Sequence, residues 1–320
     1  MSSDSIISSL SPESIQSGFA ELGYICDESI AMSVYLATQL NKPILVEGPP
    51  GVGKTELAKA TATLLQQSLI RLQCYEGLDE SKALYEWKYG KQLLYTQVLK
   101  DKLGDLLKGA HGLAESVTRL HEFGDIFYSE DFLEPRPLLQ ALKAPNGSVL
   151  LIDEIDKSDH EFESFLLEML SDYQISVPEI GTIKAVSQPV VLLTSNNTRE
   201  LSDALKRRCL HLYIPFPDLK LEQKIIQSRV PEAPEDLRNQ LVDFVHTLRE
   251  LDLKKHPAIS ETIDWARALV LLHANSLDKK LVESTLNLLL KHEEDIVSVK
   301  QELTSLFAKA VKGSKHHVRR

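Results

Sequence analysis

The sequence predicts an α/β fold, with a parallel sheet core followed by an all-helical C-terminal region. Two observations point there. Short apolar runs that suit buried strands (43–47, 148–152, 189–194 and 209–214) alternate with helical spacing as far as Pro217. Beyond it, residues 219–310 carry leucines and charges at heptad-like spacing and no strand pattern. With 320 residues and a hydrophobic fraction of 43%, the chain can fill more than one core.

Taken in order, residues 1–14 read as a polar leader, and 15–40 carry helical apolar spacing through Phe19, Leu22, Ile30 and Val34. Residues 43–47 form a buried strand bounded by Pro43 and a glycine-rich turn; 56–67 is a helix and 69–74 a second strand. The charged, glycine-broken stretch 75–137 reads as an insertion into the core, with helical pieces at 95–107 and 114–122. Residues 148–152 are the clearest buried strand, followed by a helix over 160–170. A β-hairpin (174–177 with 182–185) precedes the strands 189–194 and 209–214. The core therefore spans 15–217, a helical lid 218–310, and a basic, disordered tail 311–320.

Composition narrows the function classes. Lys and Arg number 36 against 46 Asp and Glu, a net charge of −10, which disfavours nucleic acid held by the overall surface field. Cys26, Cys74 and Cys209 are scattered and lack metal-site or disulfide spacing. Neither a signal-like start nor a bilayer-length apolar run is present, so a soluble, cytoplasmic protein without membrane insertion is expected.

The chemistry concentrates in four places. Gly48-Pro49-Pro50-Gly51-Val52-Gly53-Lys54-Thr55 fits GxxxxGK[ST] between a strand and a helix. Glycines let backbone N–H groups face phosphates, Lys54 reaches the β- and γ-phosphates, and the Thr55 hydroxyl ligates magnesium. A chance glycine-rich turn would lack those flanking elements. Next, the apolar run 149–152 delivers Asp153 and Glu154 to a strand's carboxyl end, where Asp153 suits magnesium and Glu154 suits activation of the attacking water. The alternatives are favourable charge at a helix start and a calcium loop of Asp153, Glu154, Asp156 and Asp159, which lacks the mid-loop glycine. Asn196 follows a later strand and could orient the same water, although such residues are more often turn formers. Arg207-Arg208 could offer a cation to a neighbouring subunit's γ-phosphate or be a solvated pair; Arg267 on a lid helix is by default a surface arginine. From one subunit these motifs bring no second cation to the γ-phosphate unless the lid supplies it.

Taken together, residues 48–55, 149–154, Asn196 and Arg207-Arg208, in this order before a helical lid, resemble the AAA+ ATPases. The stretches 149–158 and 192–209 are similar to the MoxR group, and within it to the branch associated with carbon monoxide dehydrogenase maturation. The resemblance implies an ATP- and Mg-dependent ATPase in a homo-oligomeric ring, usually a hexamer. It also implies a chaperone role toward a client protein or metalloenzyme complex, with a von Willebrand factor A domain partner. It assigns Asn196 as first sensor and Arg208, rather than Arg207, as arginine finger. The family's lid arginine shortly after a serine is missing from Ser260-Glu261-Thr262, which leaves Arg267 as the lid's candidate nucleotide contact. Two other classes compete. A nucleic-acid-acting AAA+ motor or loader needs a basic, aromatic surface, yet the hairpin carries only Lys184, beside Glu179. An ATP-gated interaction module would bind but hardly turn over, which the intact Glu154 disfavours.

Overall fold

A computed structural model describes residues 7, 9–106, 129–177 and 180–317 of the chain. Helix α1 (Pro12–Glu21) starts at Ser11, whose hydroxyl accepts from Ser14 N while Ser14 reciprocates. Asp27 caps α2 (Glu28–Leu40) in the same manner. Strand β1 (Ile44–Glu47) runs through the glycine-rich turn into α3 (Lys54–Leu64), and β2 (Ser68–Gln73) follows. The next stretch holds α4 (Glu80–Ala83), β3 (Tyr85–Trp87), α5 (Tyr89–Leu106), β4 (Leu133–Pro135) and α6 (Pro137–Lys143). Then come β5 (Ser148–Asp153), α7 (His160–Asp172), the hairpin β6 (Gln174–Val177) and β7 (Gly181–Lys184), β8 (Val190–Ser195), α8 (Asp203–Arg208) and β9 (Leu210–Tyr213). Helices α9 (Leu219–Arg229), α10 (Glu235–Arg249), α11 (Ile259–Leu271), α12 (Lys279–Leu289) and α13 (Glu293–His317) complete the described chain.

Five parallel strands form the main sheet in the order β2-β5-β8-β1-β9. Both faces of the central strands β5, β8 and β1 are covered, so these are mainly apolar rather than alternating, whereas the edge strands β2 and β9 carry polar residues. Ile44, Val46, Val149, Leu151, Val190 and Leu192 face the layer containing α1 to α3. Leu45, Leu150, Ile152, Val191 and Leu193 face the layer containing α6 and α7. Parallel pairing puts the carboxyl ends of β1, β5 and β8 on one edge, where ligands of such sheets bind. A separate core in the helical C-terminal region surrounds the fully buried Trp265, whose Nε1 donates to Thr285 Oγ1 at 2.8 Å.

Three expectations need revision. The leader is not loose from residue 9 onward: Leu10 packs on the sheet's core, as does Ile7, whose carbonyl accepts from Gln39 Nε2 at 3.0 Å. The stretch 75–137 is not wholly an insertion, because Leu78, Ala83, Leu84 and Leu133 are buried in the core and β3 pairs antiparallel with β4. The helical piece expected at 114–122 lies outside the described residues. The basic tail begins inside α13, which continues to His317. No helix among the described residues is long and apolar enough to cross a membrane.

Candidate functional site

The turn after β1 wraps tightly because Gly48 has no side chain. Its φ is 149°, and a Cβ there would lie 2.1 Å from the carbonyl oxygen of Ile214. The turn delivers Lys54 as the first residue of α3. Its ammonium is buried and folds back to donate to Gly48 O (2.7 Å), Pro49 O (2.9 Å) and Asn196 Oδ1 (2.7 Å). Burial pulls the lysine pKa below its ordinary value, which the charges of Asp156, Asp153 and Glu154 only partly offset.

Asp153 ends β5 and is buried. Its Oδ1 accepts from the Thr194 hydroxyl at 2.5 Å, and its Oδ2 meets Arg71 Nη2 at 2.5 Å. The Thr55 hydroxyl stands 3.3 and 3.4 Å from the two carboxylate oxygens. A carboxylate and a hydroxyl this close are hard oxygen donors, the type magnesium takes, so the residues present fit that ion. Glu154 then adopts the left-handed region (φ 58°, ψ 50°), which costs a non-glycine residue about 1–2 kcal/mol. Its amide donates to Thr194 Oγ1 at 2.9 Å, so one threonine hydroxyl fixes both acidic residues.

The Glu154 side chain is held on three sides. Gln73 Nε2 (2.8 Å) and Lys157 Nζ (2.6 Å) reach Oε2, and Asn196 Nδ2 reaches Oε1 at 3.4 Å. Asn196 is fixed in turn by Asp156, whose Oδ2 accepts from Asn196 N (3.2 Å), Thr198 N (2.9 Å) and Thr198 Oγ1 (2.7 Å). Asp159 is occupied in capping α7. The calcium-loop alternative thus loses two of its four carboxylates to backbone amides.

Thus Lys54, Thr55, Asp153, Glu154 and Asn196 meet at one sheet edge. Arg208 does not join them; it is exposed at the end of α8 and donates to Ser171 Oγ at 2.6 Å and Ala204 O at 3.1 Å. Arg207 is exposed beside it. Arg267 is exposed, paired with Asp264 at 3.6 Å, and does not line the cleft. The C-terminal region instead brings Ser260 to the cleft, and Arg229 Nη2 stands 3.2 Å from Glu56 Oε2. Burial alone would raise the Glu56 pKa, but Lys59 and Arg229 more than offset it and hold the carboxyl below its ordinary value.

Arg71, Gln73, Glu56 and Arg229 carried no motif. Arg71 also lines the cleft with Lys54, its guanidinium paired with Asp153. A signal for it existed, since Arg71 and Gln73 are polar two apart in a strand of the core sheet.

Beside this polar cleft lies an apolar cavity of about 130 Å³, lined by Ile25, Ile30, Val52, Ile214, Ile259 and Ile263 among others. Apolar cavities of about 150 Å³ take up an aromatic ring. A polar, glycine-wrapped cleft and an adjoining apolar cavity suit the two ends of a nucleotide.

Residues 43–209, just over half of the chain, match the AAA domain (dynein-related subfamily). A Staphylococcus epidermidis protein described as uncharacterized is 26% identical over 251 residues, covering 76% of this chain and 81% of that protein. A similarly described protein of Staphylococcus aureus is 28% identical over 238 residues, covering 72% and 76%. A solved structure of the Thermotoga maritima RuvB Holliday junction branch migration motor aligns with 83% of this chain and 69% of its own, at 18% identity and a TM-score of 0.44. That likeness is too distant to bear on what this chain acts upon. The glycine-rich turn, the acidic pair and the later asparagine all fall inside or at the core of the matched span, and the chain belongs to the dynein-related subfamily of AAA domains.

Proposed function

We propose that the chain is a Mg-dependent ATPase of the MoxR type, which couples hydrolysis to remodelling or maturing a client protein or metalloenzyme complex. The observation that carries the ATPase is the convergence of Lys54, Asn196 and Glu154 from three strand ends onto one cleft beside an apolar cavity. The base enters the cavity, and the phosphates meet Lys54 and the backbone amides at the start of α3. Thr55 and Asp153 would hold magnesium, which supplies charge neutralisation at the phosphates. Glu154 accepts the proton of the attacking water, and the Asn196 amide orients both.

The remodelling role rests on the resemblance of residues 149–158 and 192–209 to the MoxR group. So do the hexameric ring and the von Willebrand factor A domain partner, while the scattered cysteines support a reducing, cytoplasmic setting. Arg208, exposed and not lining its own cleft, is the finger offered to the neighbouring subunit, and Arg267, which does not line the cleft either, takes no part in the nucleotide contact. Nucleic acid is not the substrate, given the net charge of −10.

The test is Glu154→Gln. It keeps ATP affinity and lowers kcat by roughly 10² to 10⁴, whereas Lys54→Ala loses affinity. Near wild-type turnover in Glu154→Gln refutes the assignment. The same variant, as an ATP-bound trap, captures the client and partner from the native host; recovery of nucleic acid in place of protein refutes the remodelling role.

A further inference from the structure

The polar cleft and the apolar cavity meet along a short seam, because Gly51, Gly53, Glu56 and Ser260 line both. A nucleoside triphosphate with its base in the cavity and its phosphates on Lys54 lays its sugar across that seam. Only two of the four residues carry polar side chains. The Ser260 hydroxyl is already engaged, donating to Glu261 Oε2 at 3.0 Å.

Glu56 differs. Its Oε1 accepts from Lys59 at 2.6 Å and its Oε2 from Arg229 at 3.2 Å. Each carboxylate oxygen has two lone pairs, so both keep room for another donor. A carboxylate at this place repels phosphate and accepts from hydroxyl. The hydroxyl donors of a nucleotide between base and phosphates are those of the ribose. Arg229 lies in the last turn of α9, so the same carboxylate also ties the C-terminal region to the first turn of α3.

We propose that Glu56 reads the sugar of the bound nucleotide by accepting a hydrogen bond from a ribose hydroxyl, with Arg229 as the positioning residue that holds the carboxylate at the seam. The inference rests on the nucleotide site proposed above. It makes the site selective for ribonucleoside over deoxyribonucleoside triphosphates. A hydrogen bond to a charged acceptor corresponds to about tenfold or more in affinity.

Titration calorimetry of the full chain with Mg-ATP, its 2′-deoxy and 3′-deoxy analogues and inorganic tripolyphosphate tests it. Wild-type protein binds ATP about tenfold or more tighter than at least one deoxy analogue. Glu56→Ala, a good helix former at a half-buried helical position, reduces that ratio to about unity without weakening tripolyphosphate. Arg229→Met lowers the ratio part of the way and Arg229→Lys recovers it, which a merely structural contact would not do. An unchanged ratio in Glu56→Ala, or no preference in the wild type, overturns the proposal while leaving the ATP site standing. An unchanged ratio in Arg229→Met removes the positioning role. Absence of any ATP binding to wild-type protein overturns the site itself and the inference with it.

Discussion

The ammonium of Lys54 and the side-chain amide of Asn196, 142 positions apart in the chain, meet at 2.7 Å. The same amide group turns its nitrogen toward Glu154 Oε1 at 3.4 Å. One neutral side chain thus bridges Lys54 and Glu154, the residues proposed to bind phosphate and to act as general base. Asn196→Ala is expected to lower kcat by roughly 10² to 10³, as for loss of one oriented donor, while ATP affinity changes little. Steady-state phosphate release and equilibrium binding separate the two effects. A large loss of affinity with unchanged kcat contradicts the bridging role.

Gly51 decides how closely the C-terminal region approaches the turn. Its φ is 75°, and a Cβ would lie 2.4 Å from Ala258 Cβ and 2.9 Å from Ser260 Oγ. Gly51→Ala therefore meets both strain and overlap, and we expect a loss of about 1–3 kcal/mol in stability together with weaker nucleotide binding. Thermal melting with and without ATP checks this. A variant that melts and binds like wild type shows that the contact is slack.

Glu222 is fully buried in the C-terminal region, where Arg249 reaches both its oxygens (2.6 and 2.9 Å) and His246 one of them (2.8 Å). Arg249 also lies 4.8 Å from the Phe216 ring centroid and donates to Pro257 O at 2.8 Å. Arg249→Met strands the carboxylate and is expected to cost about 3–5 kcal/mol, measured by denaturant unfolding. A change within about 0.5 kcal/mol contradicts this.

The same carboxylate sets part of the acid response. Burial would raise the Glu222 pKa, but hydrogen bonds and charge from His246 and Arg249 more than offset it, so the folded value lies below 4.5. A depressed folded pKa contributes stability above the unfolded value and loses it as pH falls through the folded one. Stability should thus decline below pH 4.5, with a shallower acid limb in Glu222→Gln. Equal acid limbs in the two proteins assign that response elsewhere.

Arg208 holds Ser171 and Ala204 and does not line its own cleft. If it serves a neighbour, Arg208→Ala binds ATP and assembles yet hydrolyses slower by up to about 10³. Mixing it with Lys54→Ala recovers activity, since some interfaces then pair an intact turn with an intact arginine. Light scattering monitors assembly, and labelled subunits confirm exchange. Full activity of Arg208→Ala, or of a monomeric wild type, sinks the shared site.

The polarity of residues 1–14 concealed two apolar anchors, Ile7 and Leu10, because average composition says nothing about which face of a short segment meets the core. Likewise 75–137 read as an insertion although its two ends bury Leu78, Leu84 and Leu133 in the core. Charge runs between these ends dominated the pattern, while burial depends on the few residues that reach the sheet.

Residues 48–55 and the pair Asp153-Glu154 were legible in the sequence alone. Their requirements are local: a glycine-rich turn between a strand and a helix, and a strand that stops where the carboxylates begin. The parallel sheet was legible too, from apolar runs buried on both faces. Only the tertiary structure brought Arg71 to Asp153 across 82 positions and Arg229 to Glu56 across 173, and left Arg267 outside the cleft. Strand β2 lies beside β5 because their apolar faces bury together, and hydrophobic burial has no direction of its own. Which charged side chains then meet at the sheet edge follows from register, and register exists only once the strands have paired.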